Sequence, residues 1–392
     1  MKNLIAARRL PPLMVMNDGS PVRTRDDWRA RRRELMEMLS REEYGFTPAA
    51  PGTVRANVLS SERAFAGKAV QSRIELSFDT PNGEFTFPFN LIVPEKAVAA
   101  PAFVNINFRP EIPDKYLPVE EIIDHGFALA TVYYNDVTHD SAKMDGLAAM
   151  YPVDPAAGWG KIGMWAFAMS RIMDYLETLD SIDTTRVAAC GHSRLGKTAL
   201  WCAAQDERFS MAISNDSGCS GAAISRGKVG ESIRDIADVR FPYWFCGNYR
   251  NWIDREWEAP FDQHMLLALV APRALYVCSA TEDEWADPLS EFLCAAAVSD
   301  VWNFHRVPGL VIPADVQPLT APVPDELDAL LAEVADEPWD GLIFDPAAER
   351  PALIADHPFH SGSIAYHQRT GSHFMSRTDW LWHMEYREKH GV

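Results

Sequence analysis

The chain has 392 residues, with 37 Lys and Arg against 55 Asp and Glu, and a formal charge of −18. At 47% hydrophobic and 23% charged it has the composition of a chain that buries a core, which excludes wholesale disorder. The acidic balance argues against a nucleic-acid binder, which needs a basic face. No window approaches the roughly 18 apolar residues of a transmembrane helix, so no membrane partner is expected.

In chain order, Lys2 and a short apolar patch open the sequence, and Arg8 and Arg9 cut that patch off. No signal peptide is therefore expected. Six cysteines (Cys190, Cys202, Cys219, Cys246, Cys278 and Cys294) show no CxxC or metal-like spacing. They read as buried small apolar residues in a reducing compartment, which makes the expected location cytoplasmic. Thr24-Arg25-Asp26-Asp27 starts a helix through Leu39, whose Arg29–Arg33 run is balanced by nearby glutamates and reads as a solvated face. Residues 1–50 are thus expected to be a helical arm packed on a main domain of residues 51–392.

From Thr53 to Val93 the hydrophobic period changes to two, and Pro81-Asn82-Gly83 turns a β-hairpin. After about residue 100, strand and helix alternate. Phe103–Phe108, Phe127–Val132, Arg186–Cys190, Met211–Ser214, Ala274–Ser279 and Ser363–Gln368 read as strands, and Met164–Leu179 and Arg194–Gln205 as helices. This order predicts an α/β fold, a doubly wound and mostly parallel sheet with antiparallel N-terminal strands. Prolines recur from Pro308 to Pro358 amid acids, marking an irregular insertion at about 308–360 in which only Asp325–Val334 has a helical pattern.

The chemistry begins at Gly191-His192-Ser193-Arg194-Leu195-Gly196-Lys197. A strand ends at Cys190 and a helix starts near Arg194, which sets Ser193 on a tight turn at a helix N-terminus. The generic G-x-S-x-G elbow would have its second glycine where Leu195 stands, so an ordinary N-capping serine is the competing reading. A serine nucleophile needs a base, and the base needs a carboxylate; on α/β-hydrolase folds they follow in the order Ser, acid, His. His373, on the loop after the last strand, stands where the order requires the base. His367 and His383 fall mid-strand and mid-helix, His357 and His360 fall in the insertion, and His192 is expected to point away from the serine. Two acids compete: Asp283 follows the strand Ala274–Ser279, the usual position, and Asp216 follows Met211–Ser214.

At this point the sequence resembles the glucuronoyl esterases, carbohydrate esterase family fifteen. Their elbow is G-C-S-R-x-G-K, matched everywhere here except His192. The likeness continues through Ser217–Arg226, Gly230-Glu231, Phe241–Cys246, Phe261–Leu269 and Trp285-Ala286-Asp287-Pro288 to His373, nearly the whole chain. It implies hydrolysis of esters on the carboxyl of glucuronic acid, as in 4-O-methylglucuronate side chains of xylan joined to lignin alcohols. Ser193 would attack and His373 would act as base. Arg194 would stabilise the oxyanion, and Lys197, Glu231 and Trp285 would hold the sugar. Serine acyl transfer requires neither cofactor nor metal. The implied partner is a small carbohydrate ester or glucuronoyl oligosaccharide, imported if the chain has no leader.

The departures are specific. Many fungal members join a Cys before the serine to a Cys after the histidine; His192 and Phe374 stand at those places. Family members often carry Glu where Asp216 stands, one methylene longer, so Asp216 and Asp283 both remain candidates. Two other functions stay open on the same scaffold: an acetyl-xylan or other carbohydrate deacetylase, and a non-catalytic carbohydrate-binding relative.

Overall fold

The computed structural model describes residues 1–320 and 350–392. Nine strands form one sheet in the order β1-β2-β3-β5-β4-β6-β7-β8-β9. β1 (Arg55–Ala64), β2 (Ala69–Thr80) and β3 (Gly83–Pro94) form an antiparallel meander. Its last strand also pairs antiparallel with β5 (Ala128–Tyr133). β4 (Ala100–Asn107), β5, β6 (Ile182–His192), β7 (Met211–Asn215), β8 (Ala274–Ala280) and β9 (Ile364–Arg369) are all parallel. The burial pattern follows this division. In β2, Ile74, Leu76 and Phe78 are buried between less buried neighbours, whereas β7, β8 and β9 are buried at every residue, as strands covered on both faces must be.

Strands are added on opposite sides of β4, β5 on one side and β6 on the other, so the order in which the sheet is built reverses there. In such sheets the loops at the carboxyl ends of the strands beside the reversal are free to build a site. β6, β7, β8 and β9 are consecutive neighbours, so the loops after residues 192, 215, 280 and 369 lie side by side, although the last starts far along the chain from the first.

The helix Arg25–Leu39 begins with a capping box between Thr24 and Asp27 and puts Trp28, Leu35 and Leu39 into the main core cluster. The helix expected over Met164–Leu179 runs from Lys161 to Leu176. Its N-cap is Gly160, where a Cβ would overlap the Trp244 carbonyl. The Asp325–Val334 pattern and most of the insertion lie outside the described residues. The flanks of that stretch meet in an antiparallel bridge between Leu319 and Leu353. All six cysteines are buried and unpaired. Among the described residues no helix is long and apolar enough to cross a membrane.

Candidate active site

Ser193 follows the last residue of β6 and precedes the helix Arg194–Gln205. Its backbone has φ +58° and ψ −130°, a conformation that costs a non-glycine residue about 1–3 kcal/mol and is held by the surrounding packing. Two glycines make the turn possible. A Cβ on Gly191 would fall 2.1 Å from the Leu195 carbonyl oxygen, and Gly196 lies against Ser217 and the Asn215 carbonyl. The second glycine is displaced by one position because it serves the packing of the helix on β7, while Leu195 is fully buried in the core. The Ser193 N–H donates to Asn215 O at 2.8 Å. The hydroxyl does not cap the helix. It meets His373 Nε2 at 2.9 Å.

His373 Nδ1 lies 2.6 Å from Asp283 Oδ2. The imidazole is 41% exposed at its side chain and the carboxylate 3%, so the chain of three groups runs from solvent into the body of the protein. Of the two acids left open by the sequence, the structure puts Asp283 behind the imidazole. Asp216 sits elsewhere: its Oδ2 accepts the Phe374 N–H at 3.2 Å, and its Oδ1 is buried without a partner. Burial, with Glu291, Asp283 and Asp379 as acidic neighbours, pushes the Asp216 carboxyl well above the usual carboxylate range and favours its neutral form. Asp216 also stands at φ +47°, a tight turn that aims its side chain at the backbone after His373.

His192 corrects a sequence expectation. Rather than pointing away, its ring packs on that of His373 with centroids 4.5 Å apart, and Tyr116 and Phe108 line its other contacts at 5.7 and 6.0 Å. Burial, and then the neighbouring His373, lowers its pKa to about 3, so this ring is a neutral wall rather than a second base. Its Nδ1 pairs with Asn215 Oδ1 at 2.6 Å.

Arg194 is the first residue of its helix, so its N–H has no acceptor within that helix. The guanidinium pairs with Asp140 and lies 4.8 Å from the Trp244 ring, 5.3 Å from Phe241 and 5.5 Å from Phe108. Asp140 also accepts from Trp244 Nε1 at 2.7 Å, which fixes the carboxylate that fixes the arginine. Arg194 Nε is buried and has no protein acceptor among the described residues. On the same helix Lys197 is buried, and its Nζ donates to Glu231 Oε2 at 2.9 Å and to Ser217 O at 2.6 Å. The Glu231 N–H donates to Trp285 O at 2.9 Å. Gly230 lets the two loops touch, because a Cβ there would lie 2.5 Å from the Glu284 carbonyl oxygen. The Trp285 indole is 42% exposed, with Arg240 over its face at 5.3 Å. Lys197, Glu231 and Trp285 are therefore one connected wall.

Three further residues carry the site without a sequence signal. Asp140 is one. Arg369 is another: its guanidinium donates to the carbonyls of Thr370, Ser372 and Phe374 and to Asp379 at 2.9 Å, clamping both sides of the His373 loop. Gly371 belongs to that clamp, since a Cβ would lie 2.5 Å from Arg369 Nη1. Glu291, beneath Gly218 and Ser279, is the third. It accepts from the Gly218 N–H at 2.9 Å and from Ser279 Oγ at 2.6 Å, and burial raises its pKa to about 8. Each is joined to the site by contacts of long sequence separation or by a turn that no local pattern announces.

A family model described as the glucuronyl esterase of fungi matches residues 76–305. A carbohydrate esterase from an unknown prokaryotic organism is 32% identical, over 97% of this chain and 89% of its own length. The 4-O-methyl-glucuronoyl methylesterase of Podospora anserina is 28% identical, over 76% of this chain and 60% of its own. Among solved structures, a glucuronoyl esterase from Solibacter usitatus matches with a TM-score of 0.80 and 32% identity, covering 97% of both chains. A promiscuous esterase of carbohydrate esterase family 15 from a marine bacterial metagenome matches at 0.79 and 31%, covering 97% of this chain and 96% of its own.

Proposed function

Because this chain belongs to the glucuronoyl esterase family, carbohydrate esterase family 15, we propose that it is a serine carboxylesterase that hydrolyses esters of the glucuronic acid carboxyl. The observation that carries the reading is the continuous line Ser193 Oγ, His373 Nε2, His373 Nδ1, Asp283 Oδ2, with contacts of 2.9 and 2.6 Å, on the loops after β6, β9 and β8.

In this proposal Ser193 Oγ attacks the ester carbonyl and its proton passes to His373 Nε2. Asp283 holds the imidazole in the tautomer that leaves Nε2 free and stabilises the imidazolium that forms. The Arg194 N–H and its guanidinium face the developing oxyanion; one such donor contributes about 3–4 kcal/mol to the transition state. The caging of Arg194 by Asp140 and three aromatic rings supports this role, since donors already in place need no reorganisation during reaction. The proton then goes to the departing alcohol, and water, deprotonated by His373, releases the acid. Lys197 and Glu231 hydrogen-bond the sugar hydroxyls, and the exposed Trp285 indole covers a sugar face.

Uronic acid esters of xylan origin are the substrates this wall suits. The six unpaired cysteines support a reducing, cytoplasmic setting in which oligosaccharide fragments rather than polymer are met. The test is kinetic: methyl and benzyl glucuronate beside acetylated xylose, with Ser193→Ala as control. Uronate turnover exceeding acetyl turnover, and lost in Ser193→Ala, is expected. Faster deacetylation would replace the substrate assignment, and failure of an active-site phosphonate to label Ser193 would overturn the catalytic one.

A further inference from the structure

His192, Asp216 and His373 each offer one ligand atom, and the three atoms lie within 4.8 Å of one another. Three points so spaced are at most about 2.8 Å from a common centre. Zinc bonds imidazole nitrogen and carboxylate oxygen at roughly 2.0–2.2 Å, so each ligand has to move by less than about 1 Å. We propose that these three side chains form an inhibitory site for a borderline transition-metal ion, Zn2+ by its preference for two imidazoles and a carboxylate.

Three observations support it. Asp216 is 1% exposed and its Oδ1 has no hydrogen-bond partner, an orphaned acceptor of the kind a cation satisfies. His373 is exposed and supplies the way in, while His192 and Asp216 form the floor. Asn215 Oδ1 against His192 Nδ1 at 2.6 Å holds the ring in orientation, the usual outer support of a metal-ligating imidazole. The ligands come from the ends of β6 and β7 and from the loop after β9, so no linear spacing announces them. The His373 nitrogen turned away from Asp283 is Nε2, the atom that meets Ser193. Metal and serine proton therefore compete for one lone pair. The inhibition rests on the esterase reading; the binding does not.

The closing experiment uses untagged full-length protein and ZnCl2. Calorimetric titration of Ser193→Ala, which keeps all three ligands and needs no turnover, is expected to give one saturable site. Co2+ in its place is expected to give tetrahedral d–d absorption. His192→Phe keeps a ring against His373 but removes the nitrogen, and is expected to weaken Zn2+ binding at least tenfold. The exposed pairs His139–Asp145 and His125–Glu388 stay intact in that variant and serve as its internal background. Asp216→Asn carries the same test if His192→Phe fails to fold. Wild-type uronate-ester hydrolysis is expected to fall over the concentration range in which Ser193→Ala binds, and to return with EDTA. No saturable binding by Ser193→Ala, or affinity unchanged in a folded His192→Phe, overturns the site. Saturable binding with undiminished hydrolysis overturns the inhibition. Binding as described in a protein without esterase activity upholds the site and refutes the esterase reading alone.

Discussion

Replacing Asp283 by Asn removes the carboxylate 2.6 Å from His373 Nδ1 while keeping its size. Two losses follow. The imidazolium formed when Ser193 gives up its proton loses a countercharge; at about 4 Å and an effective dielectric near 20 that interaction is about 4 kcal/mol. The amide can also turn its NH2 toward Nδ1, which places the ring proton on Nε2 and leaves Ser193 without an acceptor. Together these predict a fall in kcat of about 10³–10⁴-fold, since each 1.4 kcal/mol is about tenfold. Asp216→Asn is the control. Its carboxyl is held toward the neutral form, and an amide oxygen still accepts the Phe374 N–H, so kcat stays within about threefold of wild type, the usual size of a near-isosteric change. The assay is benzyl glucuronate hydrolysis at neutral pH by both variants, with circular dichroism to establish folding. Asp283→Asn within tenfold of wild type, or Asp216→Asn losing as much as Asp283→Asn, would refute the assignment.

Lys197→Met strands the buried Glu231 carboxylate and should cost about 3–5 kcal/mol in a denaturant melt, whereas the double variant Lys197→Met, Glu231→Gln should recover most of that loss. Trp285→Ala should leave the melting temperature unchanged because the indole is largely outside the core. It should cost about 1–2 kcal/mol of sugar contact, read as a 5–30-fold fall in kcat/KM. Glu43 and Glu291 both have pKa values raised by burial to about 8, so the folded state holds protons there that the unfolded chain releases near pH 4.5. Stability is therefore greatest below about pH 4.5 for these groups and is lost as pH rises through 8, by up to about 1.4 kcal/mol per pH unit per group. Glu291→Gln should flatten the fall in melting temperature between about pH 5 and 8; an unchanged slope would count against a buried neutral Glu291.

The sheet was legible because each parallel strand is a short apolar run and each helix an apolar periodicity, both local signals. Arg194–Gln205 begins and ends where its pattern does, and Met211–Asn215 and Ala274–Ala280 extend the runs by one residue each. The Ser193–His373 pairing was legible for a different reason: chain order on this fold constrains which loops adjoin. The choice between Asp216 and Asp283 was not. Both follow adjacent parallel strands, and what separates them is a left-handed backbone at Asp216, which no residue type there declares. The direction of His192 failed on similar grounds. Strand alternation places its Cβ, but it is the His373 loop, clamped by Arg369, that brings the second ring to it. Asp140 and Arg369 look like ordinary loop and strand-end charges until the chain is folded.

His192 and Phe374 stand where the family resemblance places a cysteine pair in many fungal members, and their packing explains how the loop is held without one. Tyr116 lies 4.7 Å from Phe374 and 5.7 Å from His192, bridging the two positions with an aromatic ring, and Lys115 caps the stack at 4.8 and 5.4 Å from Tyr116 and Phe374. Each aromatic contact contributes about 0.5–1.5 kcal/mol, so two approach the lower end of the 2–4 kcal/mol that a disulfide gives through the unfolded state. The substitution is consequential for chemistry as well as stability. A disulfide has no lone pair suited to a hard or borderline cation and no ring to face the base, whereas an imidazole at position 192 has both. The exchange that frees the loop from oxidising conditions is thus the same one that sets a second nitrogen ligand beside His373.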